Sequence, residues 1–175
     1  MIKTLEIYID GACQGNPGRA AIGIVINEKG KRLKRISKTI GESTNNAAEY
    51  SAFIHAMEEA LSLKAQKIFI HTDSELLFNQ VRGRYKVRSS TLKNYFDQAR
   101  HLLGKFDHVE LKQIPREQNK EADKLASEAL SKEKRSLTQK LKNSGEKIFV
   151  LTRPAQAGQS LGLTKKQANV VTQLS

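Results

Sequence analysis

Apolar residues alternate along the first ten positions, with Leu5, Ile7 and Ile9 on one side and Glu6, Tyr8 and Asp10 on the other. That period of two predicts a half-buried strand over 2–10. The segment D-G-A-C-Q-G-N-P-G, rich in glycine and holding Pro17, predicts a loop over 11–19. A-I-G-I-V-I at 21–26 reads as a second strand, N-E-K-G as a hairpin turn, and 31–40 as a third strand with a basic edge. The period then changes. Tyr50, Phe53, Ile54, Met57 and Leu61 recur at helical spacing, behind Thr44, Asn45 or Asn46 as cap. Further on, 67–72 predicts a strand, 74–81 a short helix, R-G-R-Y-K-V-R a basic connector and 91–103 a helix. His108–Ile114 predicts the last strand, and 117–131 a helix that buries Ala122, Leu125, Ala126 and Ala129.

Three strands in a meander, followed by strands that alternate with helices, define an α/β fold. Right-handed crossovers set the later strands parallel to the first. The expected sheet is five-stranded and mixed, three strands antiparallel and then two parallel, with flanking helices. In such sheets functional groups gather beyond the carboxyl ends of the parallel strands, and Asp10 and Asp73 stand at two of those ends.

Composition narrows the class. With 38% hydrophobic residues in 175, the chain supports one packed domain and an extension. Cys13 is the single cysteine, so an internal disulfide and a thiolate zinc cluster are excluded. Charges in the first ten residues and the lack of a long apolar run argue against a signal peptide and a membrane span, which makes a cytoplasmic protein the expectation. The net charge of +12 favours a polyanion such as nucleic acid as partner, against the plainer reading of a lysine-rich solubilising surface. Residues 132–175 carry 9 Lys and Arg against 2 Asp and Glu, a net +7. S-K-E-K-R-S-L-T-Q-K-L-K-N-S-G is expected to prolong the last helix to a break at Gly145. I-F-V-L-T-R-P then reads as a short strand, and L-T-K-K-Q-A-N-V-V-T-Q-L as an amphipathic helix capped by Thr164. A disordered arm, a small nucleic-acid-binding appendage and a partner-docking helix remain open for this tail, with an electrostatic role favoured.

Four carboxylates lie at the element ends. Each has a plain structural explanation alone: Asp10 opens a turn, Asp73 caps a helix, Glu49 suits a helix N-terminus and Asp123 pairs with Lys120 or Lys124. Converging at one sheet edge, they would repel one another unless cations neutralised them. Oxygen-only ligands suit Mg or Mn and phosphoryl chemistry. The glycine-rich segment is not a nucleotide P-loop, because it lacks G-K-[ST] and leads into a strand. Its glycines allow close approach to a substrate. Thr44, Asn45 and Asn46 serve either as caps alone or as phosphate contacts at a helix start. His55, His71, His101 and His108 show no ligand spacing.

I-Y-I-D-G-A-C-Q-G-N-P-G, T-N-N-A-A-E-Y, I-H-T-D-S and P-R-E-Q-N-K-E-A-D-K-L-A together resemble the type 1 ribonuclease H family, in particular archaeal-like members without a basic protrusion. The resemblance covers 2–131. It makes 1–131 a ribonuclease H catalytic domain with the ribonuclease H-like fold, and 132–175 a basic C-terminal extension. It implies endonucleolytic cleavage of the RNA strand of RNA–DNA hybrids, leaving 5′-phosphate and 3′-hydroxyl ends. Two Mg ions, replaceable by Mn, are implied as cofactors. Asp10 would bridge both, Asp123 would complete the nucleophile side, and Glu49 and Asp73 the leaving-group side. A monomer is expected, with the tail adding nucleic-acid or protein contacts.

The resemblance also implies substrate contacts. Backbone groups around Cys13, Gly15 and Asn16 would read 2′-hydroxyls in the shallow minor groove. A DNA phosphate would meet Thr44, Asn45, Asn46 and Ser89 or Ser90, and Asn119 stands where relatives carry Asn or Glu. Departures are visible too. No histidine lies between His108 and Asp123, and Arg116 resembles the arginine of archaeal-type members instead. The chain has no Trp, and Arg82, Arg84, Lys86 and Arg88 replace the electrostatics of the missing protrusion. Glu75 stands where a phosphate-pocket Gln is common. A non-catalytic hybrid-binding module is the alternative function, as is a nuclease that also cuts double-stranded RNA.

Overall fold

The alternating N-terminal segment forms β1 (Thr4–Gly15), which turns at Asn16–Pro17 into β2 (Gly18–Glu28) and then β3 (Lys31–Ser43). The remaining elements are α1 (Asn45–Ser62), β4 (Lys67–Thr72), α2 (Glu75–Val81), α3 (Ser90–Leu103), β5 (His108–Gln113), a single 3-10 turn (Arg116–Gln118) and α4 (Lys120–Asn143). This computed structural model describes residues 2–143. The strand expected at 148–154 and the helix capped by Thr164 lie outside the described residues.

The sheet order is β3-β2-β1-β4-β5, antiparallel among the first three strands and parallel from β1 to β5. The five-stranded mixed α/β sheet expected from the sequence is therefore present. One segment differs. Residues 11–15 are strand, not loop, because they pair with 18–22 of β2 up to Gly15 opposite Gly18. A glycine-rich composition lowers strand propensity, but the antiparallel partner supplies the missing order. Asp10 accordingly sits inside a strand opposite Gly23 and opens no turn. α4 runs on past residue 131 to Asn143, the last described residue, in line with the prolonged helix expected from the sequence.

Both faces of the sheet are used. Leu5, Ile7, Ile9, Ile22, Ile24 and Ile26 are fully buried, in one cluster with Tyr50, Phe53 and Met57 of α1. Each such side chain contributes roughly 1.5–3 kcal/mol by leaving water. Two glycines replace side chains on the sheet so that helices come down onto backbone. A Cβ at Gly11 would overlap the Glu49 nitrogen, so α1 rests directly on β1. A Cβ at Gly23 would overlap the Ala122 carbonyl, and α4 rests on β2 from the other face. The Ser37 hydroxyl donates to the Leu125 carbonyl at 2.7 Å, and Glu121 pairs with Arg32 and Arg35, which fastens α4 to β3.

Candidate active site

The parallel pairing of β1 with β4 ends at Tyr8 opposite His71. Two more residues along each strand bring Asp10 level with Asp73, both just beyond the ladder. Glu49 reaches them from the fifth residue of α1, whose close approach Gly11 admits, and its Oε2 accepts the Gly11 N–H at 3.2 Å. The Thr44 hydroxyl caps that helix by accepting from Ala47, and the Asn45 N–H donates to the Asn16 side chain at 3.2 Å. The β1–β2 turn and the start of α1 are thereby joined.

Carboxylate oxygens of Asp10, Glu49 and Asp73 lie within 4.8 Å of one another. Asp10 and Glu49 are buried. Asp10 is pushed up to about 7 by burial first, then by Asp73 and Asp123, while Arg116 opposes the shift. Glu49 is held well above the ordinary carboxylate range by burial and by the Asp10 and Asp73 charges, against the Gly11 N–H and Arg116. Such a donor set is all oxygen, crowded and short of positive charge, which fits a hard divalent cation. Asp123 lines the same cleft, of about 470 Å³. Its Oδ1 accepts a hydrogen bond from Arg116 at 2.7 Å, and it is not among the three converging acids.

Asp73 is held from below. Asn119, 1% exposed, donates through Nδ2 to the Ile9 carbonyl at 2.8 Å and to Asp73 Oδ1 at 2.9 Å. The sequence grouped Asn119 with the nucleic-acid contacts. The fold places it beneath the acids, because the 3-10 turn tucks the start of α4 against β1. Cys13, Asn45 and Asn46 line the acid cleft, joined by Ser74, Glu75 and Ser127. Ser127 went unnoticed in the sequence, although its spacing of four from Asp123 on one helix was the available signal. Gly15 and Asn16 form the β1–β2 turn. Ser89 caps α3 by accepting from Leu92, with Ser90 opening that helix, and neither lines the cleft. Gly11, the first glycine of the D-G-A segment, makes room for a helix. A second hollow of about 670 Å³ lies over Tyr8, His71 and Lys112 and contains none of the four acids.

A mixed five-stranded α/β sheet carrying a carboxylate cleft beyond its parallel strand ends defines a class of metal-binding hydrolase folds. The comparisons specify the family. The model of the family described as reverse transcriptase-like matches residues 8–129. Ribonuclease HI of Halobacterium salinarum is 40% identical over 127 residues, 72% of this chain and 64% of that protein. A bifunctional protein of Mycobacterium tuberculosis is 35% identical over 126 residues, 71% of this chain and 35% of its own length. The chain thus spans less than two thirds of these curated relatives. Among solved structures, RNase H1 of Halobacterium salinarum superposes with a TM-score of 0.72 at 38% identity, covering 74% of this chain and 98% of that one. LC11-RNase H1, solved in complex with an RNA/DNA hybrid, gives 0.69 at 40% identity over 73% and 97%. The chain belongs to the type 1 ribonuclease H family, within the reverse transcriptase-like group.

Proposed function

We propose that this protein hydrolyses the RNA strand of RNA–DNA hybrids endonucleolytically, with two divalent cations, Mg or Mn, held by Asp10, Glu49, Asp73 and Asp123. The observation that carries the reading is the convergence of three carboxylates within 4.8 Å, two of them buried and driven towards protonation. The hybrid-bound relative supports the substrate. Bound at these acids, the cations would supply water activation and charge stabilisation at the leaving 3′-oxygen, which leaves 5′-phosphate ends.

The chain's own residues do the positioning. Asn119 fixes one Asp73 oxygen, and the Gly11 N–H fixes Glu49. Arg116, three-quarters exposed beside Asp123, meets the scissile phosphate in this reading. Backbone groups of Cys13, Gly15 and Asn16 meet the RNA strand in this reading. Asn45 and Asn46 at the start of α1 meet a DNA phosphate. Thr44 and Ser89 accept cap hydrogen bonds, and each hydroxyl still keeps a proton to donate to that phosphate. These contacts read backbone, so sequence preference is weak. A monomer working in the cytoplasm completes the proposal, and no described helix is long and apolar enough to cross a membrane.

A cleavage assay tests this directly. A labelled hybrid should be cut internally with Mg or Mn, while single-stranded RNA and duplex DNA stay intact. Hybrid that survives both metals, or an Asp10→Asn variant that cuts at a near-normal rate, refutes the proposal.

A further inference from the structure

The acids divide three to one. Asp10, Glu49 and Asp73 form a single group, while Asp123, in the same cleft, gives Oδ1 to Arg116 at 2.7 Å. We propose that Arg116 and a divalent cation compete for the Asp123 carboxylate, so that the second cation of the site binds weakly until the substrate phosphate draws the guanidinium away. This rests on the metal-dependent nuclease reading above and adds a control on the order in which that site fills.

Three observations carry it. First, Asp123 is the acid already paired with a guanidinium, and it is reachable: its side chain is 33% exposed, half-buried as Asp73 is, whereas the whole residues Asp10 and Glu49 are 6% and 7% exposed. A cation therefore meets the other three acids as a preformed cluster of oxygens, and meets Asp123 as a carboxylate already partnered. Second, Arg116 is positive at any working pH, so protonation cannot release it. Arg116 lines the same cleft as Asp10 and Asp123. A second dication between Asp10 and Asp123 would face that guanidinium and be repelled. Third, the Arg116 side chain is 76% exposed and hangs from a three-residue turn, so it swings away at little structural cost. A phosphate offers guanidinium two oxygens in a fork and is a strong competitor for it.

The functional consequence is an ordered site. The three-acid group takes the first cation without help. The fourth acid is released when a phosphodiester arrives, so the complete charge set assembles only around substrate. By reciprocity, substrate must tighten the second cation by the same factor that the second cation tightens substrate.

The test counts bound Mn2+ by electron paramagnetic resonance in the full chain without nucleic acid. The proteins are wild type, Asp10→Asn, Arg116→Gln, Arg116→Lys, Asp123→Asn and the Arg116→Gln/Asp123→Asn double variant. Removing both the ion pair and the repulsion should tighten the second Mn2+ by about tenfold in Arg116→Gln. Arg116→Lys keeps the cation and should stay near wild type. The double variant should show no gain over Asp123→Asn. A second step unmoved in Arg116→Gln overturns the competition, as does a gain that persists without Asp123. If wild type holds no Mn2+ that Asp10→Asn removes, the metal reading itself fails and the competition falls with it.

Discussion

Replacing Asp10 by Asn removes a charge from the most crowded point of the sheet edge and leaves the side-chain shape almost unchanged. Asp10 titrates at about 7 in the folded protein against an ordinary 3.8. Each unit corresponds to about 1.4 kcal/mol, so ionised Asp10 costs the fold on the order of 4 kcal/mol at most. Because Asp73 and Asp123 share that repulsion, relief of roughly 2–4 kcal/mol is expected. The sign follows from the raised folded value. Below about pH 4 the carboxyl is protonated in folded and unfolded chains alike and carries no penalty. Between about pH 4 and 7 the unfolded chain loses its proton first and stability is lost; above 7 the loss is complete. Asn is neutral throughout. The variant should therefore melt with wild type near pH 4 and about 5–15 °C above it at pH 8, using 2–4 °C per kcal/mol for a chain of this size. Saturating Mg2+ at pH 8 should narrow the gap, since the cation stabilises wild type by binding the native state. Thermal melts followed by circular dichroism across this pH range measure all of it. A gap that does not change with pH, or a variant less stable than wild type at pH 8, refutes the account of the acidic cluster.

Other outcomes follow from the same geometry. Asn119→Ala removes the donor shared by Ile9 and Asp73, and should cost about 1–3 kcal/mol of stability in urea melts and lower turnover more than the Michaelis constant. Unchanged turnover in Asn119→Ala would show that Asp73 needs no such support. Gly11→Ala drives a methyl into the Glu49 backbone, so α1 must lift; a loss of several kcal/mol together with weaker Mn2+ binding is expected, and wild-type values of both would contradict the close approach. Deleting residues 144–175 removes 4 Lys and Arg and 1 Glu. Hybrid affinity should fall and its salt dependence flatten, by about 0.9 in the logarithmic slope for each phosphate that the tail no longer neutralises. An unaltered slope would assign the tail another role.

The element order was readable because the periods are clean: Leu5, Ile7 and Ile9 alternate, and Tyr50, Phe53, Ile54 and Met57 recur as a helix does. Those positions are all buried in the fold. What escaped was decided by partners outside the segment itself. Residues 11–15 look like a loop until their pairing with β2 is known. Asn119 looks like a surface polar residue near a helix start, and only the proximity of Ile9 and Asp73, more than forty positions away, makes it an internal strut. The four acids could be chosen from their sequence contexts. Their division into three and one could not, because it depends on where the Arg116 side chain lies.

The outer strand of the sheet has a consequence for how the protein behaves in a tube. β3 is an edge, and an edge offers unpaired backbone groups to a second copy. Here the strand holds Lys31, Arg32, Lys34, Arg35 and Lys38, which are exposed. Glu121 pairs with Arg32 and Arg35 and Glu59 with Lys34, so the repulsion that opposes edge-to-edge approach of two copies falls mainly on Lys31 and Lys38. This guard is electrostatic and therefore depends on ionic strength. The screening length shrinks from about 10 Å at 0.1 M salt to about 3 Å at 1 M. The high-salt washes that strip nucleic acid from a basic protein also weaken this guard on β3, so concentrated stocks should cloud in strong brine and clear in dilute buffer.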